Sequence, residues 1–194
     1  QIGTILDYSV EGQESEANFD IVMHETIATI ERAAGDDKIP FSVFKITGVG
    51  RFALLEKVNT KETLSENEKK EYEIVKNRIN TICQKAHNLS VPVFIDAEES
   101  WIQDTIDEIA TTMMRQYNKE RAIVYNTLQM YRWDRLSYLK KCYVDAEKHQ
   151  YFLGIKLVRG AYMEKERARA EKLEYASPIQ KSKASTDKDY DLAV

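Results

Sequence analysis

What most constrains this chain is a rhythm. Short runs rich in β-branched and aromatic residues alternate with longer segments whose apolar residues recur every three or four positions. Gly3–Val10 (GTILDYSV) reads as a first strand, and Phe19, Val22, Thr26, Ile30 and Ala33 then mark one face of a helix. Pro40–Thr47 (PFSVFKIT) is a second strand; Tyr72, Val75, Ile79, Ile82 and Ala86 form the stripe of the helix that follows. Ser65 with Glu68 predicts a capping box at that helix's start. Val91–Asp96 is a third strand, followed by Ile102, Ile106, Ile109, Met113 and Tyr117 at helical spacing, with Ser100 and Gln103 placed to cap. Arg121–Tyr131 is a fourth, followed by Leu136, Leu139, Tyr143 and Ala146, and Tyr151–Val158 is a fifth. The closing TDKDYDLAV reads as a further helix.

Strands separated by amphipathic helices mean repeated βαβ units and a parallel sheet with helices outside it. Several strands are apolar on successive residues, as expected when both faces are covered. No Pro/Gly/Ser-rich linker interrupts the 194 residues, so the expectation is one domain over 1–194. Five βα units fall short of an eight-stranded barrel: either the sheet is open, or most of a barrel is present. A net charge of −4 with mixed signs argues against a nucleic-acid surface. No apolar run approaches the roughly 18 residues of a membrane span. Cys83 and Cys142 are far apart with no C-x-x-C, which favours a reducing compartment, and the three histidines suggest no metal site.

In a parallel α/β protein, ligand groups collect at the carboxyl ends of the strands. Here those ends carry Asp7-Tyr8-Ser9-Val10-Glu11-Gly12, Lys45 before Thr47-Gly48, Asp96-Ala97-Glu98-Glu99, Gln129 with Tyr131, and Lys156, Arg159, Gly160 and Tyr162. One such residue is ordinarily a solvated loop residue; polar ends on all the strands point to a site, because unpaired buried charge is costly. Lys45, Lys156 and Arg159 against few carboxylates suggest an anionic ligand, and Gly160 lets a phosphate or a flat ring approach the backbone. Asp96 is placed to hold Lys45 by an ion pair. Gly48-Val49-Gly50-Arg51-Phe52-Ala53 fits a loose dinucleotide fingerprint. That motif wants an acidic residue about 20 positions on, whereas the next strand ends only at Asp96, more than twice as far. A strand lysine, Lys45 or Lys156, is also where an aldolase would place a Schiff-base nucleophile.

The stretches LDYSVEG, FKITGVGRF, VFIDAEES, NTLQMY and IKLVRGAYMEKERARA, in that order, resemble proline dehydrogenase, with KLVRGAY the most specific. The KLVRGAY-x-x-E-R-A-R-A form is closer to the stand-alone enzymes, mitochondrial ones included, than to the large bifunctional bacterial proteins. The resemblance implies an α/β fold, a TIM-like (β/α)8 barrel of which about the first five βα units are present, binding FAD at the strand carboxyl ends. It implies oxidation of L-proline to 1-pyrroline-5-carboxylate, with electrons passed to a quinone at a membrane surface. By motif, Lys45 would pair with the proline carboxylate, Asp96 would be the active-site carboxylate, and Tyr162 would line the proline pocket. Ala97 and Gln129 would contact the flavin, and Lys156 would stand near its N5. Arg159, Gly160 and Ala161 would run along the cofactor, with Lys183, Thr186 and Asp187 near its adenosine end. The expected location is the cytoplasm or inner-membrane periphery of a bacterium, or the mitochondrial matrix and inner membrane of a eukaryote. The family's last strands and the arginine pair of its final helix are expected to be absent, since no Arg-Arg occurs in the sequence. A fragment or binding module without flavin is the alternative from outside enzymology.

Overall fold

The computed structural model describes residues 3–8 and 14–194. The expected strands form, each shorter than the run that announced it: β1 (Ile5–Asp7), β2 (Phe41–Phe44), β3 (Val93–Ile95), β4 (Val124–Gln129) and β5 (Ile155–Val158). Ser9 and Val10 of the expected first strand, with Glu11 and Gly12 after it, lie outside the described residues. The sheet runs β1-β2-β3-β4-β5 with every neighbouring pair parallel. That order decides between the two architectures. With no reversal in strand order, right-handed crossovers stack every helix on one face, and the other face is left to line a barrel interior. An open doubly wound sheet would change direction at a switch point and cover both faces.

The connecting helices bury the predicted stripes where packing is purely apolar. In α1 (Glu16–Ala33) the buried residues are Phe19, Val22, Thr26, Ile30 and Ala33. The α2 helix (Phe52–Asn59) and a 3-10 turn at Ile46–Gly48 occupy the G-x-G-x-x-A stretch. There Gly50 serves packing: a Cβ on it would lie 2.8 Å from both Val75 methyl groups. Ser65 and Glu68 form the full capping box of α3 (Glu66–Leu89). The α4 helix (Ser100–Tyr117) differs from expectation at its start. Ser100 is its first residue rather than its cap, and the N-cap Glu99 makes no side-chain cap bond. Gln103 instead accepts the Glu98 N–H at 2.8 Å. In α5 (Arg135–His149) the buried face runs through Arg135, Cys142 and Ala146, and Tyr143 of the expected stripe is 58% exposed. The buried ion pair of Arg135 with Asp107, 2.6 Å, sets that rotation. Two helices follow β5, α6 (Met163–Lys172) and α7 (Lys183–Ala193).

Strand alternation then sorts the side chains. Phe44, Val93, Ile95 and Val124 face the helices in one core with Ile30, Ile79, Ile82, Ile102 and Ile106. On the inner face Val43, Phe94 and Tyr125 are in register. Phe41 stacks on Phe94 at 4.3 Å, and Tyr125 meets Phe94 edge-on at 5.6 Å, so aromatic rings floor the interior.

One buried amide ties the far end of this assembly together. Asn118 accepts the N–H groups of Ile123 and Val124 and donates to the carbonyls of Val124 and Phe152. Asn118→Ala strands several buried backbone groups, so urea unfolding should show a loss of about 3 kcal/mol at an unchanged denaturant slope. A loss below about 1 kcal/mol would mean that the groups find other partners.

Candidate active site

The strands β2 to β5 deliver their last inward side chains to one mouth. β2 passes into Lys45 and β3 into Asp96 and Ala97; Thr127 and Gln129 of β4 and Lys156 and Val158 of β5 continue the inner rows. These residues, with Tyr131, Gly160, Ala161 and Tyr162, line a cavity of about 190 Å³. Thus Lys45, Asp96, Ala97, Gln129, Lys156, Gly160, Ala161 and Tyr162 come together as the sequence suggested.

The central contact is an ion pair between Lys156 Nζ and Asp96 Oδ1, both half-buried. The ammonium also sits 5.1 Å from the centroid of the Phe94 ring, and Thr127 Oγ1 donates to the same carboxylate oxygen at 3.3 Å. The expected partner of Asp96 was Lys45, and the structure corrects this. Thr127 is in register with Lys156, so the lysine needs only to reach across β4 to meet Asp96. Lys45 contributes a further cation to the cavity wall.

Gln129 is 1% exposed, and its Nε2 donates to the Glu98 carbonyl at 2.6 Å, which fixes the orientation of the amide. Its Oε1 is buried without a donor. A buried acceptor left unmet costs about 1–3 kcal/mol, a cost native proteins keep where a ligand supplies the donor. Beside Gly160, a built Cβ would meet only Met163 Sδ, at 3.8 Å, so the backbone there is open to a close approach. Tyr131 is fully buried, and its phenol oxygen accepts the Tyr162 N–H at 3.4 Å. Burial pushes its pKa up to about 12, which keeps the hydroxyl neutral. Glu98 accepts from both the N–H and the hydroxyl of Thr47, tying the β3 loop to the turn after β2.

Four expected site residues stand elsewhere. Arg159 points to α7, where it pairs with Asp187 at 3.2 Å and lies 4.5 Å from the centroid of the Tyr190 ring. Lys183 binds the same carboxylate, and with Arg159 it holds Asp187 below the ordinary aspartate range. Thr186 is buried one residue before Asp187, its hydroxyl donating to the Ser182 carbonyl at 3.4 Å. Arg159, Lys183, Thr186 and Asp187 form a second cluster at the start of α7, outside the cavity. Conversely, Thr127, Tyr131 and Val158 line the cavity without having been assigned a role. For Thr127 the signal was present: it stands two residues before Gln129, and therefore on the same strand face.

The proline dehydrogenase family profile matches residues 1–194. The chain belongs to the proline dehydrogenase family. It is 33% identical to the carbapenem antibiotics biosynthesis protein CarD of Pectobacterium carotovorum subsp. carotovorum, over 100% of this chain and 50% of that protein. It is 32% identical to the mitochondrial proline dehydrogenase 1 of Dictyostelium discoideum, over 100% of this chain and 41% of that protein. The chain therefore spans half or less of the length of these relatives. Proline utilization A from Bdellovibrio bacteriovorus, solved after inactivation by N-propargylglycine, shares the fold. Its TM-score is 0.80 at 18% identity, covering 98% of this chain and 21% of that one. The five parallel strands are thus part of a TIM-like barrel of the family.

The raised phenol of Tyr131 has a consequence at alkaline pH. The folded state holds this proton more tightly than an ordinary tyrosine, whose pKa is 10.0, so its stabilisation is complete below pH 10 and fades as pH rises towards about 12. Urea unfolding across that window should show a shallower loss of stability for Tyr131→Phe than for the unaltered protein. Parallel losses would contradict the assignment.

Proposed function

We propose that the protein to which this chain belongs oxidises L-proline to 1-pyrroline-5-carboxylate with FAD, and passes the electrons to a quinone. The observation that carries the reading is the Lys156–Asp96 ion pair beside the donorless buried oxygen of Gln129, at the open backbone of Gly160. Those groups suit a flavin ring. A ring N–H would satisfy Gln129 Oε1, the bare Gly160 would accept a flat edge, and Lys156 would supply positive charge. Bound there, FAD supplies the two-electron acceptor, at its N5, for the hydride that proline loses.

The chain's own groups do the rest. Lys45 pairs with the substrate carboxylate and so orients the ring, while Tyr162 closes the proline pocket and the small Ala97 leaves room beside Asp96. Lys156, kept in place by Asp96 and the Phe94 ring, favours the negative charge of the reduced cofactor; tuning cofactor electronics is the protein's part in such chemistry. Its engagement as a cation speaks against a Schiff-base role. Gly160 and Ala161 lie along the cofactor, and Arg159 with Lys183 and Thr186 at α7 serves its adenosine end. Electron transfer to the quinone takes place at a membrane surface. Among the described residues no helix is long and apolar enough to cross a membrane. In a eukaryote this activity belongs at the mitochondrial inner membrane, in a bacterium at the cytoplasmic face.

The full-length protein should purify yellow, and proline should bleach its flavin absorbance. A colourless protein that cannot reduce added FAD with proline would end this reading. Lys156→Ala should slow flavin reduction by about tenfold or more, about 1.4 kcal/mol, in stopped-flow experiments. Lys45→Ala should instead raise the proline KM. Equal shifts of both parameters in both variants would contradict the separate roles, and borohydride trapping of a carbonyl substrate on either lysine would favour the aldolase.

A further inference from the structure

We propose that Glu166 of α6 is a positioning residue that locks the two loops flanking the cavity to each other; the proposal rests on the flavin-dependent reading of that cavity. Glu166 lies on the helix that follows the Arg159-Gly160-Ala161-Tyr162 segment, and its own N–H donates to the carbonyl of Tyr162, the N-cap of α6, at 2.9 Å. Its side chain reaches a different part of the chain. Although only 1% exposed, the carboxylate has both oxygens satisfied by one residue: Ser100 N–H at 2.6 Å and Ser100 Oγ at 2.7 Å.

Ser100 opens α4, whose own N-cap residue provides no side-chain acceptor. Glu166 therefore stands in as the cap from another helix, and its negative charge meets the positive end of the α4 dipole. The contact is not isolated. Lys165 pairs with Glu99, and Arg169 pairs with Glu56 at 2.7 Å while lying 4.3 Å from the centroid of the Trp101 ring. The Lys165 side chain is 60% exposed and that of Arg169 34%, whereas Glu166, at 1%, is enclosed and cannot readily exchange its partner for water.

The consequence lies at the cavity. Asp96 and Ala97 belong to the loop that runs into Ser100, and Gly160, Ala161 and Tyr162 belong to the loop that runs into Glu166. Their strands, β3 and β5, are not neighbours, because β4 lies between them. The sheet fixes the strands, but beyond their ends the loop separation depends on contacts such as this. Glu98 anchors the first loop from below through Thr47; Glu166 fixes its far end against the second. Since placement errors of about 1 Å can cost about a hundredfold in rate, a bond that sets this separation acts on the chemistry without touching substrate.

The test compares Glu166→Ala, Glu166→Gln and Ser100→Ala in the purified full-length protein, reading amide hydrogen exchange, the visible circular dichroism of the flavin, and kcat and KM for proline. In Glu166→Ala, exchange should rise about tenfold or more over both 96–101 and 160–163, with β2 and α3 still protected. The flavin dichroism should change, and kcat should fall about tenfold or more. Glu166→Gln keeps an acceptor for the Ser100 N–H and should restore most of each property. An increase confined to the first turn of α4, or spread evenly over the sheet, would mean an ordinary helix cap and overturn the proposal. So would unchanged exchange over 160–163 in Ser100→Ala, which removes one of the two bonds to Glu166, if Glu166→Ala does not fold. Lack of flavin or of proline turnover in the unaltered protein would remove the functional reading alone, and the exchange comparison would still decide the clasp.

Discussion

The candidate site hangs on the ion pair of Asp96 with Lys156, which spans the width of β4. It exists because parallel register puts Lys156 opposite Thr127 and the end of β3 beside both. One residue of slippage would turn Lys156 towards the helices and Leu157 into the cavity. The pair in turn brings Thr127 and the Phe94 ring into contact with its members, so the inner row behaves as a unit. A cation held by a carboxylate and an aromatic face, with the carboxylate itself bonded by the Thr127 hydroxyl, is in place before any ligand arrives, which is the condition for electrostatic tuning of a cofactor.

Around that row the polar groups are distributed unevenly. On the helix side of β4 the Asp107 carboxylate is fully engaged: it accepts from Arg135, Asn126 and Gln103 at 2.6 to 2.9 Å. Burial pushes the Asp107 carboxyl up, while the Arg135 charge opposes that rise. Such a buried network adds little net stability over an apolar one, but breaking one member of it is costly, so it specifies how α4 and α5 sit on the sheet. On the cavity side Gln129 keeps an oxygen with no donor. A satisfied network behind the sheet and an unsatisfied acceptor in front of it separate scaffold from site within one strand.

Much of the scaffold was legible locally. The α1 and α4 stripes and the Ser65–Glu68 capping box depend only on residues three or four apart, and they form as read. The strands came out shorter than their apolar runs because a parallel ladder lasts only where a neighbouring strand lies in register. Tyr143 was misplaced because the α5 stripe was read as apolar, whereas a buried arginine with a distant partner sets its rotation. The α2 helix escaped notice because eight residues hold barely two helical turns, following a glycine-rich stretch that resembled a phosphate loop. Among the site residues, the inward lysines, Asp96 and Gln129 could be placed from strand ends, yet the partner of Asp96 could not.

By itself, the sequence determined the succession of strands, the buried faces of α1 and α4, and the family through its strand-end motifs, since all of these are properties of neighbouring residues. Only the tertiary structure decided that the strands lie in unbroken order and so enclose a barrel interior. It also decided that Asp96 meets Lys156 rather than Lys45, and that Arg159 turns away to α7. The link from Glu166 to Ser100, across 66 residues, was decided there too. Each of these depends on strand register or on helices docking across the sheet, and no local pattern encodes the distance between residues that meet only when the chain has closed on itself.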